Sequence, residues 1–190
     1  MISFYDVDHK IDQNCINYLI KYIDNYVLNN RCCNNYPNCI HPKEQTDPNL
    51  LHVNDKFIDI VRNDMFDKFK MFVKEDKLNI TYLKCWAIKN TGSNEHLWHH
   101  HNLRNSDKDV SFIMYLSDTT LGTEFETNHY TMITKPKKFT WIFFNSDILH
   151  SPQIGKENNM RYVIAGAIGC NINRKWHWHF KINLILLHYV

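Results

Sequence analysis

The stretch NITYLKCWAIKN, residues 79–90, decides the fold, because the hydrophobic period of the chain changes there from about 3.6 to 2. Ile80, Tyr82, Trp86 and Ile88 alternate with Thr81, Leu83, Cys85 and Ala87. Such alternation puts successive side chains on opposite faces of an extended strand. Before this point the rhythm is helical. Residues 11–28 space Ile16, Leu19, Ile20, Ile23 and Val27 along one face of an amphipathic helix. Residues 54–74 repeat the pattern through Phe57, Ile58, Val61, Met65, Phe66, Phe69 and Phe72, with Asn54 in the place of an N-cap. These aromatics are core material. Residues 29–49 carry Asn, Pro and Cys without a period and read as a loop ending at Pro48. After residue 90 the period stays at two: VSFIMYLSD at 110–118, GTEFE at 122–126, HYTMI at 129–133, FTWIFF at 139–144 and RYVIAGAIG at 161–169, with KWHWHFKI at 175–182 as a further strand. Short strands following two helices predict a mainly β, α+β protein: a barrel or sandwich with helices on one side. The expected organisation is one domain over 1–190, with helical support in 1–78, a β core in 79–182 and an apolar tail in 183–190.

Composition narrows the classes. The 190 residues are 44% hydrophobic, enough to bury a sizeable core. Twenty-two Lys+Arg against 20 Asp+Glu leave a net charge of +2, which excludes a polybasic arm, an acidic tail and charge-driven disorder, and gives no strong nucleic-acid signal. The 12 His outnumber Arg31, Arg62, Arg104, Arg161 and Arg174, so the surface field depends on pH. Met1 is not followed by a cationic and then an apolar region of a signal peptide, and the C-terminal run Ile182–Val190 is shorter than the ~20 residues that cross a bilayer. The expectation is a soluble cytoplasmic protein without membrane contact, monomeric or weakly dimeric. Cys15, Cys32, Cys33, Cys39, Cys85 and Cys170 read as reduced thiols. The group Cys32, Cys33, Cys39 and His41 lacks the paired spacing of a structural zinc site and reads as a polar loop.

Two short segments carry the candidate chemistry: WHHHN at 98–102 and ILHSP at 148–152. Both sit at strand edges, and residues so placed can converge at the mouth of a small antiparallel barrel. A mononuclear iron(II) site needs three protein ligands on one face, with open positions for substrate and oxygen; the usual set is two His and one carboxylate. Two ligands separated by one residue suit a strand, whose alternation points i and i+2 to the same side.

Residues 86–169 resemble the iron(II)/2-oxoglutarate-dependent oxygenases, in particular the prolyl-hydroxylase-like group and its small phage-encoded relatives. The matching segments are LKCWAIKNTG, WHHHN, SFIMYLSD, GTEF, the KPKK turn, FTWIFF, DILHSP and MRYVIAGAIG, in the family's order. The resemblance implies a double-stranded β-helix, a jelly-roll or cupin-like barrel, flanked by the two helices. It implies iron(II) as cofactor and 2-oxoglutarate as cosubstrate, decarboxylated to succinate as an unidentified small-molecule or peptidyl substrate is hydroxylated. It makes His99, His101 and His150 the metal ligands and catalytic residues, and Arg161 and Tyr115 the cosubstrate contacts. An arginine suits a planar carboxylate better than a lysine does.

The family's H-x-D pattern is replaced in WHHHN. Two registers remain, His99-x-His101 and His100-x-Asn102, with spacing to SFIMYL favouring the first; Asp107 or Asp109 could also fold back as a ligand. Three His leave the charge of the metal less compensated than a carboxylate would. The rival readings are a cupin-like three-His metal dioxygenase without 2-oxoglutarate and a non-catalytic binding or interaction module on the same barrel. His129, His177 and His179 read as exposed strand residues, and Trp86, Trp98 and Trp141 as core or rim packing.

Overall fold

The computed structural model describes residues 1–29, 45–46, 48–90, 98–101, 109–127, 130–153 and 160–171. The described residues are mainly β, with two α-helices and a short 3-10 turn at Leu50–His52. The larger sheet contains β1 (Ile2–Asp6), β2 (Asn79–Asn90), β3 (Val110–Tyr115), β6 (Thr140–Asn145) and β8 (Arg161–Asn171), in the order β1-β6-β3-β8-β2. The smaller sheet contains β4 (Thr123–Glu126), β5 (Thr131–Thr134) and β7 (His150–Pro152), in the order β5-β4-β7. Every ladder between these strands is antiparallel.

The helices, α1 (Gln13–Asn29) and α2 (Lys56–Val73), start where a carboxylate meets unpaired amides. Asp12 accepts from the Cys15 amide at 2.9 Å. Asp55 accepts from Phe57 and Ile58 at 2.9 and 3.2 Å. The cap of α2 is therefore Asp55 and not the expected Asn54. Asp55 also receives a hydrogen bond from the Tyr18 hydroxyl, which ties the two helices together.

The period-two pattern of β3 does not separate core from solvent, because every residue of β3 is buried. Alternation instead divides two cores. Val110, Phe112 and Met114 join Ile16, Leu19, Val61, Met65, Phe69 and Phe72 of the helices. Ile113 and Tyr115 join Phe125 of the smaller sheet. β6 divides likewise, with Trp141 and Phe143 on the helical side and Ile142 and Phe144 on the other. The larger sheet thus lies between the helices and the smaller sheet, and its central strands are apolar on both faces for that reason. Trp141 Nε1 donates to Asp64 of α2 at 2.8 Å, so the buried carboxylate is satisfied. Burial still raises its pKa above the usual carboxylate value.

β1 was not expected. Its five residues pair with β6 from Ile2↔Phe144 to Asp6↔Thr140, a run too short to display a period and one whose place is set by its partner. β7, at three residues, was expected only as a strand edge. The strand expected over 110–118 ends at Tyr115, that over 129–133 starts later at Thr131, and that over 161–169 continues to Asn171. The expected strand at 175–182, the tail at 183–190 and the cysteine-rich loop around Cys32, Cys33, Cys39 and His41 lie outside the described residues. Among the described residues no helix is long and apolar enough to cross a membrane.

Phe143 is fully buried and meets the rings of Tyr5, Phe69, Phe72, Phe112 and Trp141 at centroid distances of 5.8–6.2 Å. Phe143→Ala is expected to cost about 3–5 kcal/mol in urea denaturation. Phe4→Ala, on the edge strand and 53% exposed, should change stability by less than about 0.5 kcal/mol. Equal losses from the two would contradict the layered core.

Candidate metal centre

β7 begins on His150, and residues 98–101 run antiparallel beside it. His99 and His150 exchange backbone hydrogen bonds, 3.1 Å from the His99 amide and 3.0 Å from the His150 amide. The His101 amide donates to the Ser146 carbonyl at 3.0 Å. Extended backbone places residues i and i+2 on one side, so His99 and His101 both meet His150. The three side chains each offer a ligand nitrogen, and these lie within 4.8 Å of one another. Their ring centroids are 4.4, 4.9 and 5.0 Å apart. The three are close enough to share one ion. His100 is exposed and is not part of this group.

His150 is the most firmly held of the three. It is 4% exposed, with its ring edge-on to Phe144 and stacked on Phe125 at centroid distances of 4.8 and 6.0 Å. Its Nδ1 lies 3.0 Å from the Ile148 carbonyl. A carbonyl only accepts, so Nδ1 carries the proton and Nε2 keeps its lone pair for a metal. Burial, and then the positive potential of His99, lower its pKa to about 4, opposed by the bond to Ile148. Neutral imidazole is the form that ligates. His101 is half-buried and meets Trp86 edge-on at 5.3 Å, which restricts its ring.

These three residues border a cavity of about 60 Å³ that Arg161, Thr123 and Trp86 also line. Arg161 opens β8 and is 5% exposed. Its guanidinium carbon stands 5.7 Å from the centre of the Tyr115 ring, a favourable placement of a buried cation over a π face. Alternation along β8 sends Arg161, Val163 and Ala165 toward the cavity and Tyr162 and Ile164 toward the helices. Tyr115 is fully buried, and its hydroxyl is 2.6 Å from the Thr123 hydroxyl. It lies one step behind the wall that Thr123 forms. Thr123 was not singled out from the sequence. The signal available was its parity with Phe125 in GTEFE, which turns both inward.

Asp109 does not fold back toward the histidines. It is 1% exposed, and its carboxylate accepts from the Tyr82 hydroxyl at 2.9 Å while its carbonyl accepts from the Ser146 amide. It braces the turn from which His101 hangs. Trp141 is core, Trp86 lines the cavity against His101, and Trp98 is exposed. Asn102, Asp107, His129, His177 and His179 lie outside the described residues.

No family model and no curated protein matches the sequence. Solved structures do match. AviO1 from Streptomyces viridochromogenes Tue57 superposes with a TM-score of 0.63 over 88% of this chain and 89% of that one, at 11% identity. HygX from Streptomyces hygroscopicus, with nickel and 2-oxoglutarate bound, gives 0.62 over 88% and 82%, at 12% identity. A prolyl-4-hydroxylase from Pseudomonas putida gives 0.58 over 87% and 85%, at 13% identity. The fold is shared with these proteins. At such identities the likeness concerns architecture, and the chemistry has to be argued from the site.

The depressed pKa of His150 has a consequence for stability. The unfolded chain takes up a proton near the ordinary histidine value of 6.5, whereas the folded protein resists until about 4. More protons bind to the unfolded state in that window, so stability is present above pH 6.5 and lost as pH falls toward 4. The loss attributable to this residue is about 3 kcal/mol. Denaturation of the metal-free protein across this range, with His150→Asn as reference, should show a slope that the variant lacks. Parallel profiles would rule the assignment out.

Proposed function

We propose that the chain is an iron(II)- and 2-oxoglutarate-dependent dioxygenase whose two sheets are the halves of a double-stranded β-helix, and that it hydroxylates a small-molecule or peptidyl substrate. The observation that carries this reading is that three imidazoles and a buried guanidinium converge on one cavity. The residues suit the groups. Three neutral nitrogen donors on one face suit a divalent iron with open positions, and a buried, permanently charged planar fork suits a carboxylate. Structural neighbours add support: HygX has been solved with iron bound as well as with nickel and 2-oxoglutarate, and a Trichoplax adhaerens prolyl hydroxylase was solved with a peptide fragment.

When bound, iron(II) and 2-oxoglutarate supply the oxidising chemistry: dioxygen is consumed, 2-oxoglutarate becomes succinate and carbon dioxide, and a C–H bond is hydroxylated. The protein's work is to hold and orient. His150 presents Nε2 from a fixed tautomer, and His99 and His101 complete the face. Arg161 would pair with a carboxylate of the cosubstrate, and the Thr123 hydroxyl on the same cavity wall would offer a further donor. Tyr115 keeps both in place, through its ring under the guanidinium and its hydroxyl against Thr123. Phe144, Ile113 and Val163 keep the floor of the cavity apolar and limit water there.

The absence of a carboxylate from the three-residue group gives a second reading its footing: a three-His dioxygenase that does not use 2-oxoglutarate. Anaerobic titration with iron(II) and 2-oxoglutarate separates the two. The oxygenase reading expects a charge-transfer band in the visible, lost in His150→Ala, and 2-oxoglutarate affinity reduced roughly 10- to 100-fold in Arg161→Ala. Metal-dependent activity indifferent to Arg161→Ala would favour the second reading. A folded, iron-loaded protein that gives no band would overturn the first.

A further inference from the structure

We propose that the hydroxyl pair of Ser111 and Ser146 positions the metal centre, by seating the turn to which all three histidines are tied. The proposal rests on the metal-binding part of the reading above and concerns residues outside the ligand set. Ser111 is fully buried in β3, a strand otherwise made of Val, Phe, Ile, Met and Tyr. Alternation puts it on the same face as Ile113 and Tyr115, the side of the cavity. A buried hydroxyl needs a partner. Ser111 finds one in Ser146, also fully buried, with the two oxygens hydrogen-bonded at 2.8 Å. Ser146 lies in the turn between β6 and β7, which the Ile148 amide closes by donating to the Asn145 carbonyl at 3.1 Å. The Ser146 carbonyl accepts from the His101 amide at 3.0 Å, and the Ile148 carbonyl accepts from His150 Nδ1 at 3.0 Å. His99 is paired in both directions with the backbone of His150.

Two carbonyls of one four-residue turn thus set the backbone of His101 and the ring of His150, and β7 passes the same reference on to His99. A ligand constellation tolerates displacements of only about 0.5 Å, so a loosely held turn costs metal affinity even with every ligand present. β3 is a central strand of the larger sheet, bonded to β6 on one side and β8 on the other. Ser111 therefore cannot follow the turn if the turn shifts. Its bond to Ser146 adds a side-chain link to the backbone bond from the Ser146 amide to the Asp109 carbonyl at 2.9 Å. Two apolar side chains would fill the same space, but hydrophobic contact is non-directional, whereas a hydrogen bond fixes distance and angle. Ser111 and Ser146 are positioning residues that act on the ligands through the backbone of the turn.

The test titrates cobalt(II), whose visible d–d absorption reports on its ligands, into the full chain and into Ser111→Ala, Ser146→Ala and the double variant. Each is also unfolded in urea without metal. Either single substitution leaves a buried hydroxyl unsatisfied and lowers the urea midpoint, and the double substitution removes both groups and recovers part of that loss. Metal affinity should not follow this pattern. It is expected to fall roughly tenfold in each single variant and to stay low in the double variant, with a changed d–d band. Val61→Ala, in the helical core and fully buried, is the reference for a purely structural loss. Its midpoint should fall while its cobalt affinity stays native, since the folded fraction remains near one. If a single variant does not fold, the double variant, with no hydroxyl left unsatisfied, decides by the same comparison. Native affinity in the double variant, or a loss in Val61→Ala as large as in the serine variants, overturns the proposal and leaves the metal centre standing. A native chain that binds no cobalt overturns the metal centre itself, and the proposal with it.

Discussion

The central strands of the larger sheet are apolar on both faces, and that constraint organises everything else. β3 and β6 cannot lie at a surface, so helices must cover one side and the smaller sheet the other. The alternation that sends Phe143 into the helical core sends Phe144 against His150. On β8, the neighbour of β3, the same rule turns Tyr162 toward Asp24 of α1 and Arg161 into the cavity. Stability and site are consequently built from the same strands. The helical side supplies the bulk of the buried apolar area, which lets the other side hold charged and polar groups.

The close approach at Gly166 shows how tightly the two sides are coupled. A Cβ there would come within 2.3 Å of the Lys84 carbonyl and 2.4 Å of the Phe112 ring, so no larger residue fits without displacing strand or core. Gly166 also borders the cavity. The ring of Phe112, the ladder partner of Gly166, lies over the glycine from the helical core, so a shift in that core would be felt at Gly166 and at the wall it borders. Gly122 is equally constrained, since a Cβ would fall 1.7 Å from the Thr134 carbonyl. It lets β4 and β5 close up and seats Thr123 at the cavity.

What was legible in the sequence follows from length and periodicity. α1, α2, β2, β3 and β6 repeat a period often enough to be recognised, and they form most of both cores. β1 and β7 are too short for that, and each exists because a partner strand offers it a ladder. The cap of α2 was misplaced by one residue because Asn54 and Asp55 are both good caps, and only the Tyr18 contact across helices distinguishes them. Within the site, the spacing of WHHHN allowed two registers. The pairing of His99 with His150 brings the side chains of His99 and His101 to that of His150, a long-range fact that no local pattern contains. Thr123 was hidden for the same reason, since its role depends on Tyr115, eight residues earlier on another sheet.

A histidine standing in the slot where a carboxylate is usual changes electrostatics more than geometry. Imidazole can occupy the same position and donate from nitrogen, so the strand pairing and the hydrophobic frame need no adjustment. The charge balance does need one. A site with a carboxylate ligand carries its own counterion, whereas three imidazoles leave that part to whatever binds. Affinity for the ion alone is then weaker, and affinity for the ion together with anionic ligands is stronger than the protein ligands by themselves would suggest. On the oxygenase reading, ion and cosubstrate would be linked through charge: the anion that enters makes the cation less costly to hold, and by reciprocity the cation draws the anion in. The buried His150, kept neutral by its surroundings, supports this arrangement because it adds no positive charge of its own at neutral pH.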